Sequence, residues 1–374
     1  GTIEMARAVV EAGGTALVAS AGGRMVPELE RAGATHLSLP LMTKDPLSIW
    51  LNARRLARLI RRHRVDLVHA RSRAPAWSAR LAARRTATPF VTTWHGVYGE
   101  SLPFKRRYNA VMAAGDRVIA ISRFVAERVS ALGVPPERLR TIPRGADTAV
   151  FDPARVRGDR VHALARAWEL PDNAPVVMLP GRLTPWKGQA LLLDALALLR
   201  TEAPTLDWVC VLLGPSRPGR RDRFGAALAA QASRLELSSR LRFAGACSDM
   251  PAALSLANVV VVPSLKPEPF GRAVVEAQAM ERVTIASGHG AALETVEHGA
   301  TGLLFEPGSA AALAEAIRWS LELDPATRAA VGRAARARVL AGYTTAAMQD
   351  ATLDVYEELL RLPFPARDRA VAPP

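Results

Sequence analysis

The sequence predicts an α/β protein built as two Rossmann-like, doubly wound parallel-sheet domains facing across a cleft. Three observations predict it. Short apolar runs alternate with helical patterns along the whole chain, as parallel strands covered on both faces by crossover helices require. The alternation runs once, pauses at 144–174 on Gly145, Pro153, Gly158 and Pro171, and runs again. The length of 374 residues suits two domains of ordinary size.

The elements follow in order. In the first half, 15–20 (TALVAS), 35–41, 65–70 (VDLVHA), 89–94 (PFVTTW), 117–121 (RVIAI) and 139–143 read as strands. They are short apolar runs with helical patterns between them. Those patterns fill 2–12, 24–32, 46–63, 74–85 and 122–132. In the second half, strands fit 175–180 (PVVMLP), 207–213, 241–244, 258–262 (NVVVV), 283–286 and 302–305. Helices fit 187–201, 222–236, 250–256, 271–280, 292–297, 309–322 and 325–341. A last helical pattern spans 345–361, before a Pro-rich tail expected to be loose. The expected domains are 1–158 and 159–344, both Rossmann-like. The segment 345–374 is expected to be a helix that crosses back to the first domain, followed by the loose tail.

Composition excludes several classes. With 49% hydrophobic and 22% charged residues, the chain is not disordered, collagen-like or a disulfide mini-protein. No apolar run approaches the ~20 residues of a membrane span. Cys210 and Cys247 give neither a disulfide framework nor metal spacing. The net charge of +14 is uneven. Residues 1–150 hold 24 basic and 11 acidic residues, whereas 151–374 hold 25 and 24. A one-sided basic domain suits an anionic partner.

In doubly wound sheets, ligands bind beyond the carboxyl ends of the strands. The run 175–180 ends in Gly181-Arg182-Leu183-Thr184-Pro185-Trp186-Lys187-Gly188. Two cations in a glycine-flanked loop that opens a helix suit a diphosphate; a solvated basic loop is the plain alternative. The strand 258–262 runs into Pro263-Ser264-Leu265-Lys266-Pro267-Glu268-Pro269-Phe270-Gly271-Arg272. Gly271 lets backbone N–H groups approach an anion closely. Glu268 and Glu276 supply carboxylates, good acceptors for sugar or ribose hydroxyls. A lone helical Glu is ordinarily solvated, but the Pro-Glu-Pro-Phe-Gly context argues otherwise.

These motifs carry a resemblance. EPFGRAVVEAQAM holds Glu268 and Glu276 in an E-x7-E arrangement, with GRLTPWKG upstream and HGAALETVEHGATGLLFEPG downstream. Over essentially the whole chain, this resembles the retaining GT-B-fold glycosyltransferases of family 4. It is also similar to bacterial members that build lipopolysaccharide core or other surface glycans. The resemblance implies a nucleotide-sugar donor, a UDP-sugar above all, and an acceptor that is a glycan or lipid-linked. It implies no metal or other cofactor. Arg182 and Lys187 would hold the donor diphosphate, assisted by backbone amides at Phe270, Gly271 and Arg272. Glu268 would contact the sugar hydroxyls and Glu276 the ribose. His95, in Thr93-Trp94-His95-Gly96 after a strand, matches the family histidine that touches the donor sugar.

The chain departs from the family pattern in places. Gly1-Thr2-Ile3-Glu4 looks like the end of the family's opening Gly-Gly loop, so the first strand is expected to be missing and a central sheet position unfilled. Glu281 stands where the family usually has a helix-ending Gly, and Val283 where it has Pro. Gly288-His289-Gly290-Ala291 replaces a commoner Asp and Gly pair. These changes are expected to weaken the loop facing the sugar.

Residues 47–63 add a basic helix. At 100° per residue, Arg54, Arg55, Arg58, Arg61 and Arg62 share an arc of roughly 120° with Leu47 and Leu51. Ile49, Ala53, Leu56 and Ile60 form the opposite stripe. That face reads either as solvated or as an anchor to anionic lipid on a cytoplasmic membrane surface. Nucleic acid is not expected, because aromatic residues scarcely interleave it. The leading expectation is a cytoplasmic, retaining glycosyltransferase, peripheral on the inner face of the membrane only if the basic helix is an anchor rather than a solvated face. The alternative is a truncated or drifted GT-B protein that binds without catalysis. An epimerase conflicts with the E-x7-E context. A nicotinamide dehydrogenase lacks its G-x-G-x-x-G after a strand.

Overall fold

A computed structural model describes residues 1–98, 103–215 and 223–367. The chain divides into two compact units. One holds Gly1–Pro143 and the chain from Thr345 onward, and the other Arg144–Thr344.

All twelve expected strands form. In the first unit, β1 (Leu17–Ser20) pairs in parallel with β2 (Thr35–Ser38). A second parallel sheet follows sequence order: β3 (Val68–Ala70), β4 (Phe90–Trp94), β5 (Arg117–Ala120) and β6 (Leu139–Thr141). β4, between two neighbours, is buried at every residue, whereas β1 is half-buried throughout. Among the described residues no ladder joins β1 to β3. A cavity of about 390 Å³ lies there, lined by Thr15–Val18, Val65–Leu67, His69 and Tyr356 among others. This cavity separates the two sheets of the first unit.

The helix Thr345–Leu360 belongs to this first unit. Met348, Leu353 and Tyr356 share a core with Met5, Ala8, Val91, Ile119 and Ile142. Arg117 and Arg140 converge on Glu358 at 2.5 and 2.8 Å. The tail is docked as far as Arg367, where a loose segment was expected. Phe364 packs on that core, and Arg367 meets Asp354 at 2.8 Å and Glu357 at 3.0 Å. The rest of the expected loose tail, 368–374, lies outside the described residues.

The basic helix spans Pro46–His63. Asp45 caps it by accepting the Ser48 N–H at 2.7 Å, a bond that holds its carboxyl below the usual value. Asn52, Ala53, Ala57 and Ile60 are buried, while Arg54, Arg55, Arg58, Arg61 and Arg62 are exposed. Leu47 at 63%, Trp50 at 37% and Leu51 at 40% are exposed beside them. Among the described residues no helix is long and apolar enough to cross a membrane.

The second unit holds one six-stranded parallel sheet. Its strands are β7 (Val176–Pro180), β8 (Val209–Leu213), β9 (Leu241–Gly245), β10 (Val259–Val262), β11 (Val283–Ser287) and β12 (Leu303–Phe305). The spatial order is β12-β11-β10-β7-β8-β9. Chain order therefore reverses between β7 and β10, the switch point at which such sheets open a crevice. Val177, Leu179, Leu212, Val259, Val261 and Ile285 form one buried face with Leu192, Leu196 and Ile317 of the covering helices. Strand periodicity turns Val260 and Val262 to the other face.

The unit boundary falls at Pro143/Arg144, not at 158. The residues after Pro143 bind the second unit. The Ala146 N–H donates to the Tyr343 carbonyl at 2.9 Å. Arg336 reaches the Phe151 carbonyl at 3.1 Å and Asp152 at 3.2 Å. The expected linker also holds a helix, Gly158–Ala167, pinned by a two-pronged Arg160–Asp249 pair at 2.7 and 2.5 Å. A second helix absent from the sequence reading is Pro103–Asn109.

Candidate active site

The two loops at the switch point are knitted together. After β7, Gly181 to Gly188 leads into the helix Gln189–Glu202. After β10, Pro263 to Gly271 leads into the helix Arg272–Ala279. Gly188 (φ +77°) passes so near the Pro263 carbonyl that an added Cβ would sit 1.9 Å from its oxygen. Only glycine meets both demands. The Leu265 N–H donates to the Trp186 carbonyl at 2.8 Å. Buried Gln189 donates to the Arg182 carbonyl at 2.9 Å and fixes the first loop from beneath.

That knitting brings Lys187 to Glu268. The ammonium donates to Glu268 Oε1 at 2.6 Å, and the side chains are 15% and 13% exposed. Lys187 also lies 4.5 Å over the Trp186 ring. Arg182 is exposed on the same loop. Gly271 (φ +79°) caps the next helix, and Phe270 beside it is buried, 6.1 Å from Tyr343. A small recess is lined by Ser264, Glu268, Phe270, Gly271, Ser287 and His289 among others. Glu276 is not in that lining. It pairs along the helix with Arg272 at 2.8 Å, and so partly neutralises the arginine.

Sequence reasoning missed Ser264 as a site residue, and took His289 for a weakening of the loop. The Ser264 hydroxyl donates to Glu268 Oε1, and His289 Nε2 donates to the Ser264 carbonyl at 2.8 Å. A carbonyl only accepts, so this ring carries its proton on Nε2. The His289 loop also grips Glu268 from behind. The Ala291 N–H donates to the Glu268 carbonyl at 3.0 Å. An added Cβ on Gly290 would come within 2.7 Å of that oxygen. The departure at 288–291 thus tightens the loop around Glu268. The signal available in the sequence was the place of Ser264 in the loop after β10, two residues past Val262.

Glu281 also keeps the turn that its type disfavours. It adopts φ +58°, with the Glu281 N–H bonded to the Gln278 carbonyl and the Arg282 N–H to the Ala277 carbonyl, both at 3.0 Å. That is the helix-ending arrangement which usually takes glycine.

In the first unit, His95 follows β4 at its carboxyl end, half-buried. Close by in the chain, the β4 residue Thr93 meets His69 of β3. His69 Nε2 lies 2.7 Å from Thr93 Oγ1, and Nδ1 lies 2.5 Å from the Tyr356 hydroxyl. Burial holds the His69 ring well below its ordinary pKa, and the nearby charges of Arg71 and His95 push it further down. Burial likewise raises the Tyr356 hydroxyl to about 12. This network ties the helix Thr345–Leu360 to the strand ends. Beside it, Arg73 stacks 4.1 Å over Tyr98.

Chemically, the second unit offers a carboxylate acceptor, a lysine, an exposed arginine and a helix N-terminus at one switch point. Known proteins resemble this chain over most of its length. The model of Glycosyltransferase Family 4 matches residues 1–150, and that of Glycosyl transferases group 1 matches residues 162–338. The D-inositol 3-phosphate glycosyltransferase 1 of Catenulispora acidiphila is 31% identical over 311 residues, 79% of this chain and 72% of the relative. The D-inositol 3-phosphate glycosyltransferase of Kineococcus radiotolerans is 32% identical over 340 residues, 82% and 74% of the two chains. A glycosyltransferase from Rickettsia africae superimposes with a TM-score of 0.89 at 32% identity, over 96% of this chain and 94% of that one. Anabaena Alr3699/HepE, solved in complex with UDP, superimposes with a TM-score of 0.82 at 25% identity, over 96% of each chain. The chain is a GT-B-fold glycosyltransferase and belongs to family 4.

Proposed function

We propose that the chain transfers a sugar from a UDP-sugar to an acceptor hydroxyl with retention of anomeric configuration. The observation that carries this reading is the Lys187–Glu268 pair at the switch point of the second unit. Arg182 and Lys187 hold the diphosphate, with the backbone amides at Phe270, Gly271 and Arg272. Glu268 accepts from the sugar hydroxyls and Glu276 from the ribose. His95 takes part in transfer. As the bond from the sugar to the diphosphate breaks, negative charge grows on the leaving oxygen, where fixed cations and amides stabilise it. The acceptor oxygen bonds to the anomeric carbon on the face the leaving group vacates. Its proton passes to the departing phosphate oxygen. The complex of Alr3699/HepE with UDP supports the choice of base. Calorimetric titration tests it. UDP should bind saturably and GDP weakly, and Glu276→Ala should lose the UDP site. Absence of UDP binding by the folded protein removes the reading.

Two acceptor classes have specific support. The basic, apolar-edged face of Pro46–His63 favours a lipid-linked or surface-glycan acceptor, including lipopolysaccharide, met at the inner face of the cytoplasmic membrane. The names of the relatives favour a phosphorylated polyol such as inositol phosphate, which the basic first half would attract. Release of UDP on adding inositol 3-phosphate, compared with lipid extract, separates them.

A further inference from the structure

The Glu268 carboxylate is held from one side. Oε1 accepts from Lys187 at 2.6 Å and from the Ser264 hydroxyl. Among the described residues Oε2 accepts no hydrogen bond. It lies toward Gly271, where an added Cβ would come 3.9 Å from it. The terminal torsion of a glutamate is broad and roughly two-fold, so a carboxylate left alone presents either oxygen. Two donors on one oxygen choose between them.

Of those donors, Lys187 has a second task. An ammonium that turns toward a diphosphate loosens its hold on Glu268. Ser264 has no such task. It is 2% exposed, and its own carbonyl is held by His289 at 2.8 Å.

We propose that Ser264 is a positioning residue that keeps Glu268 Oε2 turned to the sugar while Lys187 serves the diphosphate, and that His289 holds Ser264 for this purpose. The inference rests on the reading of this unit as a UDP-sugar site. It assigns to Ser264 and His289 the discrimination between nucleotide and nucleotide sugar, rather than nucleotide binding itself.

Calorimetry on the full chain tests it. The probes are UDP and whichever of UDP-glucose, UDP-galactose and UDP-N-acetylglucosamine the unaltered protein binds most tightly. Ser264→Ala should bind UDP within about twofold of the original and the UDP-sugar about tenfold more weakly. In a Glu268→Ala background the same change should cost nothing further, because the residue acts through Glu268. His289→Ala should show a smaller loss of the same kind, restored by His289→Gln, whose amide can still donate. Equal losses for UDP and UDP-sugar, or a full additional loss in the Glu268→Ala background, would mean a merely structural role and overturn the proposal. Failure of the unaltered protein to bind UDP overturns the donor-site reading itself, and this inference with it.

Discussion

Lys187 Nζ donates to Glu268 Oε1 across 2.6 Å, and so joins the loop after β7 to the loop after β10. The two residues come from adjacent central strands of the second unit. Both are largely enclosed, where a charge left alone is costly. The pair therefore sets the spacing of the two loops, and it shares the lysine charge between Glu268 and any bound anion.

The first prediction concerns that lysine. Lys187→Ala should lower turnover by about 10²–10³-fold, the usual cost of losing one fixed group that stabilises developing charge. The fold should survive, since the loops keep their backbone bond from Leu265 to Trp186. Sugar-transfer assays and a thermal melt measure the two effects. Unchanged turnover removes Lys187 from the reaction.

A second prediction follows from Glu281. A side-chain-bearing residue in the left-handed region costs about 1 kcal/mol relative to glycine. Against this, the Glu281 carboxylate has a 4.0 Å approach to Arg336 and an electrostatic attraction to the adjacent Arg282. Glu281→Gly should therefore stabilise the second unit by about 1 kcal/mol. Urea denaturation measures it. A loss of stability would show that the attraction to Arg336 and Arg282 outweighs the backbone strain.

Much of this was legible in the sequence, for local reasons. The run Val259-Val260-Val261-Val262 could only be a strand buried on both faces, and it is. The loops after β7 and β10 announced themselves by their glycines, prolines and charges. Other features are tertiary. The helix Gly158–Ala167 starts on glycine and buries no side chain fully; its anchor is Asp249, far along the chain. Nothing local told Arg160 of that partner. The tail looked loose because proline and charge suggested it, yet Phe364 and Arg367 find partners on the helix Thr345–Leu360. In the site, Glu268 was legible and Ser264 was not. A serine reveals its role only when the carboxylate it holds is seen.

A third prediction follows from His69. Its folded pKa lies well below the ordinary 6.5, chiefly through burial. Between that folded value and 6.5, the unfolded chain takes up a proton that the folded unit refuses. The stability this residue contributes is thus fully present above pH 6.5 and is lost as the pH falls toward the folded value. Hydrogen exchange of the segment 65–94 reports it, since β3 and β4 lie there. From pH 7.5 to 5.5, after correction for the intrinsic exchange rate, protection should fall by about 1 kcal/mol more in the original protein than in His69→Gln. Equal losses would place the pH dependence elsewhere.

The last prediction concerns the helix Pro46–His63. Its exposed face carries Arg54, Arg55, Arg58, Arg61 and Arg62, with Leu47, Trp50 and Leu51 exposed at its N-terminal end. The Arg54 guanidinium stacks 3.8 Å over the Trp50 ring, so charge and apolar surface meet at one point. Basic residues near an anionic bilayer contribute about 1 kcal/mol each, and exposed tryptophan favours the interface. Co-sedimentation with phosphatidylglycerol vesicles should therefore be strong, and with phosphatidylcholine vesicles weak. Arg54→Ala with Arg58→Ala should weaken the anionic binding by about 10-fold or more, and raised salt should weaken it further. Trp50→Ala should weaken it at any ionic strength, because the apolar contribution is not screened. Equal binding to both vesicle types would leave these arginines as a solvated face, and would shift the acceptor toward a phosphorylated polyol free in solution.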